Sequence, residues 1–112
     1  MNWISLNSEE ELETIKDLSG SQTILIFKHS TRCTISSTAL NRLERAWKDE
    51  EMKDIKPYHL DLINKRSVSN KIEEVFNIPH ESPQVLLIKN GACIYNASHL
   101  GISYKEIHEN IA

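Results

Sequence analysis

Cys33 is the residue in this sequence best placed for nucleophilic chemistry. It follows the polar stretch Lys28-His29-Ser30-Thr31-Arg32. It opens a segment in which Ile35, Ala39, Leu40, Leu43, Ala46 and Trp47 mark one face of a helix running to about Lys48. The first N–H groups of a helix lack intrahelical partners, and its dipole puts partial positive charge there. Both favour thiolate, the reactive form, over thiol. Arg32 beside the cysteine and His29 four residues back offer further positive potential. The competing reading is a small apolar residue packed under the helix, a common fate of free cysteine. The polar approach to Cys33 argues for the reactive one.

Ser36 lies three residues after Cys33, and on a first helical turn residues at that spacing face one another. A second cysteine there would close an internal disulfide. Serine can donate a hydrogen bond to a thiolate but cannot form that bond, so a mixed disulfide on Cys33 would persist until an outside thiol attacked it. Ser36 can equally help to cap the helix. Cys93 falls on an expected strand, where a buried structural thiol is the common outcome; a resolving role would need a Cα separation of roughly 4.4–6.8 Å from Cys33. Ser82-Pro83 precedes an apolar strand, and the proline either opens that strand or exposes backbone to an extended substrate. His29, His59, His80, His99 and His108 are dispersed, and no pair has zinc-ligand spacing, so no metal is expected. His29 and His80 are the candidates for lining the rim of the cysteine, or are ordinary surface histidines.

The elements that must hold these residues read as follows. Ser8 and Glu11 have capping-box spacing, and Leu12, Ile15 and Leu18 recur at helical intervals. That helix is expected to stop near Ser19-Gly20, with glycine in a left-handed cap. Thr23-Ile24-Leu25-Ile26-Phe27 is apolar almost throughout, the mark of a strand covered on both faces. Lys56-Pro57 reopens an extended segment in which Tyr58, Leu60 and Leu62 alternate with His59, Asp61 and Ile63. Val68, Ile72, Val75 and Phe76 give another helical stripe, followed by the loop from Asn77 to Pro83 and the strand Gln84-Val85-Leu86-Leu87-Ile88. Asn90-Gly91 predicts a hairpin into Ala92-Cys93-Ile94-Tyr95. Tyr104, Ile107 and Ile111 suggest a last helix. Strand-helix-strand at the front implies parallel pairing, and the hairpin adds antiparallel strands. The result is an α/β sandwich with a mixed sheet of about four strands and helices on both faces.

The 112 residues fit a single domain over 1–112, with 39% hydrophobic and 26% charged residues and a net charge of −3. That balance carries no nucleic-acid footprint. No apolar run approaches the length needed to span a bilayer, Glu9-Glu10-Glu11 stands where a signal peptide would be apolar, and the last residues carry no lipidation signal. Two cysteines argue against a secreted disulfide scaffold. A cytoplasmic location, with no membrane partner, is expected.

Lys28-His29-Ser30-Thr31-Arg32-Cys33-Thr34-Ile35-Ser36, Ile78-Pro79-His80-Glu81-Ser82-Pro83-Gln84 and Ala97-Ser98-His99 together resemble the monothiol bacilliredoxin family, thioredoxin-like proteins of the bacillithiol redox system. The resemblance spans nearly the whole chain. It implies a thioredoxin-like three-layer sandwich with Pro83 as its cis proline. It also implies a thiol–disulfide oxidoreductase in which Cys33 takes bacillithiol from bacillithiolated client proteins and another low-molecular-weight thiol then removes it. On this reading bacillithiol is a co-substrate and no cofactor is tightly bound. Cys33 is catalytic, Ser36, Thr34, Arg32 and His29 support it, and Ser82, Pro83 and His80 meet the substrate. The family's usual motif has proline directly after the cysteine, whereas this chain has Thr34, which bears on the tuning of Cys33 and on the first residue of the helix. Two other classes remain open at this stage. One is a monothiol glutaredoxin-like iron–sulfur cluster carrier, weakened by Thr34-Ile35 where such proteins have Gly-Phe. The other is a non-catalytic interaction module of the same fold.

Overall fold

The computed structural model describes residues 1–111. Its order is β1 (Ile4–Ser5), α1 (Glu10–Leu18), β2 (Thr23–His29), α2 (Thr34–Ala46), β3 (Ile55–Asp61), α3 (Arg66–Phe76), β4 (Gln84–Lys89), β5 (Ala92–Ser98) and α4 (Tyr104–Ile111). Short 3-10 turns at Asp49–Glu51 and His99–Gly101 precede β3 and α4. The strands form one sheet in the order β1-β3-β2-β4-β5. β3 is parallel to β1 and β2, while β4 is antiparallel to β2 and to β5. Among the described residues no helix is long and apolar enough to cross a membrane.

β2 lies at the centre, and its alternation builds both halves of the core. Ile24 and Ile26 face Leu12 and Ile15 of α1 and Val68, Ile72 and Phe76 of α3. Leu25 and Phe27 face Ala39 and Leu43 of α2 and Ile107 of α4. Burying each such side chain contributes about 1.5–3 kcal/mol, which is why a strand apolar on both faces must be covered by helices on both sides. The three-layer α/β sandwich follows. Tyr58, Leu60 and Leu62 are buried as their alternation predicts.

The differences from the sequence reading have local causes. The sheet has five strands rather than about four. The extra one, β1, is two residues long with both side chains exposed, so it leaves no alternation to read. It is held by parallel pairing of Ile4 with Tyr58 and Ser5 with His59, and by the buried Leu6 that follows. β2 runs two residues beyond Phe27, because Lys28 and His29 pair with Leu60 and Asp61 of β3 and Lys28 also with Gln84 of β4. α1 ends at Leu18 with Ser19 as its cap, but Ser19 stays right-handed and Gly20 adopts no positive φ; the left-handed cap belongs to Asn77 after α3, at φ 58°. On α2, Ile35 is 44% exposed and Ala46 is exposed. The inward face is Ser36, Ala39 and Leu43, spaced three and four apart, so a serine takes the place the apolar stripe gives to Ile35. Asn90 and Gly91 both have positive φ (52° and 78°), as the hairpin turn requires.

Candidate functional site

The Cys33 thiol and a set of polar groups gather where β2 and β3 end and α2 begins. Cys33 is the N-cap of α2, in an extended conformation with φ −114° and ψ 118°. Its N–H donates to the Ser30 carbonyl at 3.2 Å, closing the turn out of β2, and its own carbonyl accepts the Ser37 N–H at 3.1 Å as the first helical bond. The side chain is half-exposed and free. Thr34, Ile35 and Ser36 therefore present first-turn N–H groups with no intrahelical acceptor, on the same turn as the sulfur. Arg32 and Thr34 flank the cysteine and are exposed.

Ser36 is fully buried beneath this turn. Its Oγ lies 2.7 Å from His29 Nδ1 and accepts the Ser30 N–H at 3.0 Å. Ser36 thus joins the end of β2, the turn and the start of α2. His29, the last residue of β2, is 8% exposed, so it sits under the helix and not on an open rim. Its ring is 5.4 Å from that of His59, centroid to centroid, and His59 in turn meets Trp3 edge-on. Burial lowers the basicity of both imidazoles. For His29 the neighbouring His59 pushes the same way, against the weaker pull of Asp61 and Glu44.

On the opposite face of β2, Lys28 is wholly buried. Its Nζ donates to Gln84 Oε1 at 3.0 Å, and Gln84 Nε2 donates to the Pro79 carbonyl at 3.2 Å. This chain ties the end of β2 to the loop from Asn77 to Pro83. Burial brings the Lys28 ammonium down to about 8, with Glu73 and Glu81 pulling it back up. Lys28 and Gln84 fall within the segments that carry the family resemblance, but neither is given a role there. A lysine directly after an apolar strand is the local signal that could have pointed to it.

The Ser82–Pro83 bond is cis, and Pro83 is buried one residue before β4. The Pro83 carbonyl accepts the His99 N–H at 2.9 Å, and His99 Nε2 lies 3.4 Å from Glu81 Oε2. The Ser82 hydroxyl is buried without a hydrogen-bond partner, as is Asp61 Oδ1 at the end of β3. His80 lies against α3, its N–H on Glu73 Oε1 at 2.9 Å and its Nδ1 3.4 Å from Ser69 Oγ. Burial and the nearby Lys28 and Arg66 lower its basicity.

Cys93 belongs to the other end of the sheet. It stands opposite Ile88, which stands opposite Ile24, five residues before the end of β2. At about 3.3 Å per residue that is roughly 16 Å from the end at which Cys33 sits. No disulfide can join the two without rebuilding the sheet. Cys93 Sγ donates to the Tyr95 carbonyl at 3.3 Å, and burial pushes its thiol pKa up.

A family model described as monothiol bacilliredoxin BrxC matches residues 4–107. Among solved structures, one described as a thioredoxin-fold oxidoreductase is 27% identical, with a TM-score of 0.82 over 97% of this chain and 93% of its own. Thioredoxin from Malassezia sympodialis (14% identity, TM-score 0.75, 98% of this chain and 88% of that one) has the same fold. So does Fasciola hepatica thioredoxin (16% identity, TM-score 0.72, 96% and 94%).

Proposed function

The chain belongs to the monothiol bacilliredoxin family, and from that premise we propose that Cys33 removes bacillithiol from protein mixed disulfides in a reducing cytoplasm. Thiol redox chemistry at the level of the family is common ground with the thioredoxin-fold oxidoreductase. The step specific to bacillithiol rests on the family together with the site. The observation that carries the monothiol cycle is the place of the two cysteines. Cys33 is at the open N-terminus of α2 with Ser36 one turn on, while Cys93 is at the far end of the sheet.

In the first step the Cys33 thiolate attacks the bacillithiol sulfur of the mixed disulfide. The old S–S bond breaks, the client leaves as a thiolate and takes up a proton, and a Cys33–bacillithiol disulfide forms. In the second step an external thiol, as thiolate, attacks the bacillithiol sulfur. Cys33 leaves as thiolate and the two small thiols depart joined by a disulfide. The net change is an exchange: one client thiol is regained, one external thiol is consumed, and bacillithiol passes from one disulfide to another. Unpaired N–H groups and the dipole of α2 stabilise negative sulfur, both when it attacks and when it leaves. Pro83 and Ser82 offer the backbone beside which an extended client chain would lie.

The test is to mix reduced protein with a bacillithiolated client and follow both by intact mass. Transfer of the bacillithiol mass to the chain is expected, abolished by Cys33→Ala and spared by Cys93→Ala. Full client release by Cys33→Ala would overturn the assignment.

A further inference from the structure

Ser36 stands three residues after the reacting thiol, yet its hydroxyl is engaged elsewhere. A buried hydroxyl has one proton to give and must find an acceptor for it. The Ser30 N–H is a donor only, so it uses a lone pair of Ser36 Oγ. The remaining partner is His29 Nδ1 at 2.7 Å. The Ser36 O–H therefore donates to Nδ1, which makes His29 neutral, protonated on Nε2 and an acceptor at Nδ1. Were Nδ1 to carry the proton, Ser36 would accept two N–H bonds and its own proton would have to turn away. Cys33, at the N-cap of α2 three residues before Ser36, is the polar side chain that this spacing turns toward it.

We propose that His29 is a positioning residue that decides where the Ser36 proton points: toward Nδ1 and away from Cys33 when the imidazole is neutral, toward the Cys33 sulfur when it is charged. The neutral state leaves the thiolate without a hydroxyl hydrogen bond, free to attack. The charged state clamps the thiolate with that bond and adds a positive charge behind it. The same Ser36 accepts the Ser30 N–H in both states, so the turn that carries Cys33 stays in place. The groups facing His29 are His59 and Asp61 from β3 and Glu44 from α2. The two carboxylates favour the charged imidazole, whereas His59 and burial oppose it, so the change of state falls on the acid side of neutrality.

The inference rests on Cys33 being the reacting thiol, and its test separates the two claims. Alkylation by iodoacetamide, followed by mass, shows whether Cys33 reacts. The shape of the rate against pH shows whether His29 is coupled to it. The wild-type profile is expected to carry a second inflection, a shoulder on its acid side, from thiolate held by charged His29. Ser36→Ala and His29→Phe are expected to lose the shoulder and follow one ionisation. A single ionisation in the wild type, or an unchanged shoulder in Ser36→Ala, overturns the coupling and leaves the thiol assignment standing. Nitrogen-15 NMR of the wild-type imidazole needs no variant. Neutral His29 protonated on Nε2 is expected, and the Nδ1-protonated tautomer would refute the proposal directly.

Discussion

Lys28→Met offers a test of the buried lysine in which the size of the effect can be worked out. Moving the ammonium from its usual 10.5 to about 8 corresponds to roughly 3 kcal/mol at about 1.4 kcal/mol per pH unit. That is the cost of carrying the charge in the folded chain. Because the folded pKa lies below the unfolded one, the cost is present in full below pH 8. It is relieved as pH rises toward 10.5, where the unfolded chain still holds a proton that the folded chain has given up. Stability from this group therefore rises with pH, by about 1 kcal/mol between pH 7 and pH 9. At pH 7 Lys28→Met removes the charge but leaves Gln84 Oε1 without its donor, and an orphaned buried acceptor costs about 1–3 kcal/mol. The two effects oppose one another there, so the value at pH 7 alone says little. The slope is the diagnostic quantity. Urea unfolding of both proteins at pH 7, 8 and 9, with cysteines alkylated in each, should show the wild type gaining about 1 kcal/mol relative to the variant. Parallel pH dependences would refute the assignment of a charged, desolvated amine at Lys28.

Ser36→Ala deprives the Ser30 N–H of its acceptor and His29 Nδ1 of its donor; urea unfolding should show a loss of about 1–3 kcal/mol. At neutral pH iodoacetamide should label Cys33 well before Cys93, whose thiol is held back by burial. Oxidation should yield no internal disulfide by intact mass, and equal labelling or a Cys33–Cys93 bond would contradict the register of β4 and β5. Gly91→Ala places a side chain at φ 78° with only Lys16 Cε nearby, at 3.9 Å. The strain is in the backbone and should cost about 1 kcal/mol by urea midpoint while leaving thiol exchange unchanged.

Local chemistry made part of this molecule legible. Asn90-Gly91 can be read from sequence because the turn demands positive φ at both positions and few other pairs supply it. The covered strand around Ile24–Phe27 is legible because only burial on both faces suits such a run. Cys33 could be placed at a helix start because the residues on either side change character there. The rest depends on partners far away in sequence. Lys28 and His29 look like loop residues until the ladders of β3 and β4 draw them into β2. β1 exists only because β3 offers a free parallel edge. Ile35 fits the apolar stripe by spacing, but it lies on the outer side of the first turn of α2, and the inward place goes to Ser36. The Ser36–His29 bond joins residues seven apart through a turn whose path no periodicity describes. The separation of the two cysteines needed the register of three strands.

That separation also governs time. On the proposed cycle, the length of the sheet between Cys33 and Cys93 leaves a group taken onto Cys33 without a second thiol of the described residues to discharge it. The dwell of such an adduct is set by how often a free thiol arrives from solution. A drop in that supply would lengthen every dwell and fill the population with loaded molecules. On that cycle the loaded fraction at any moment would be a record of the balance between disulfide and thiol in the surroundings.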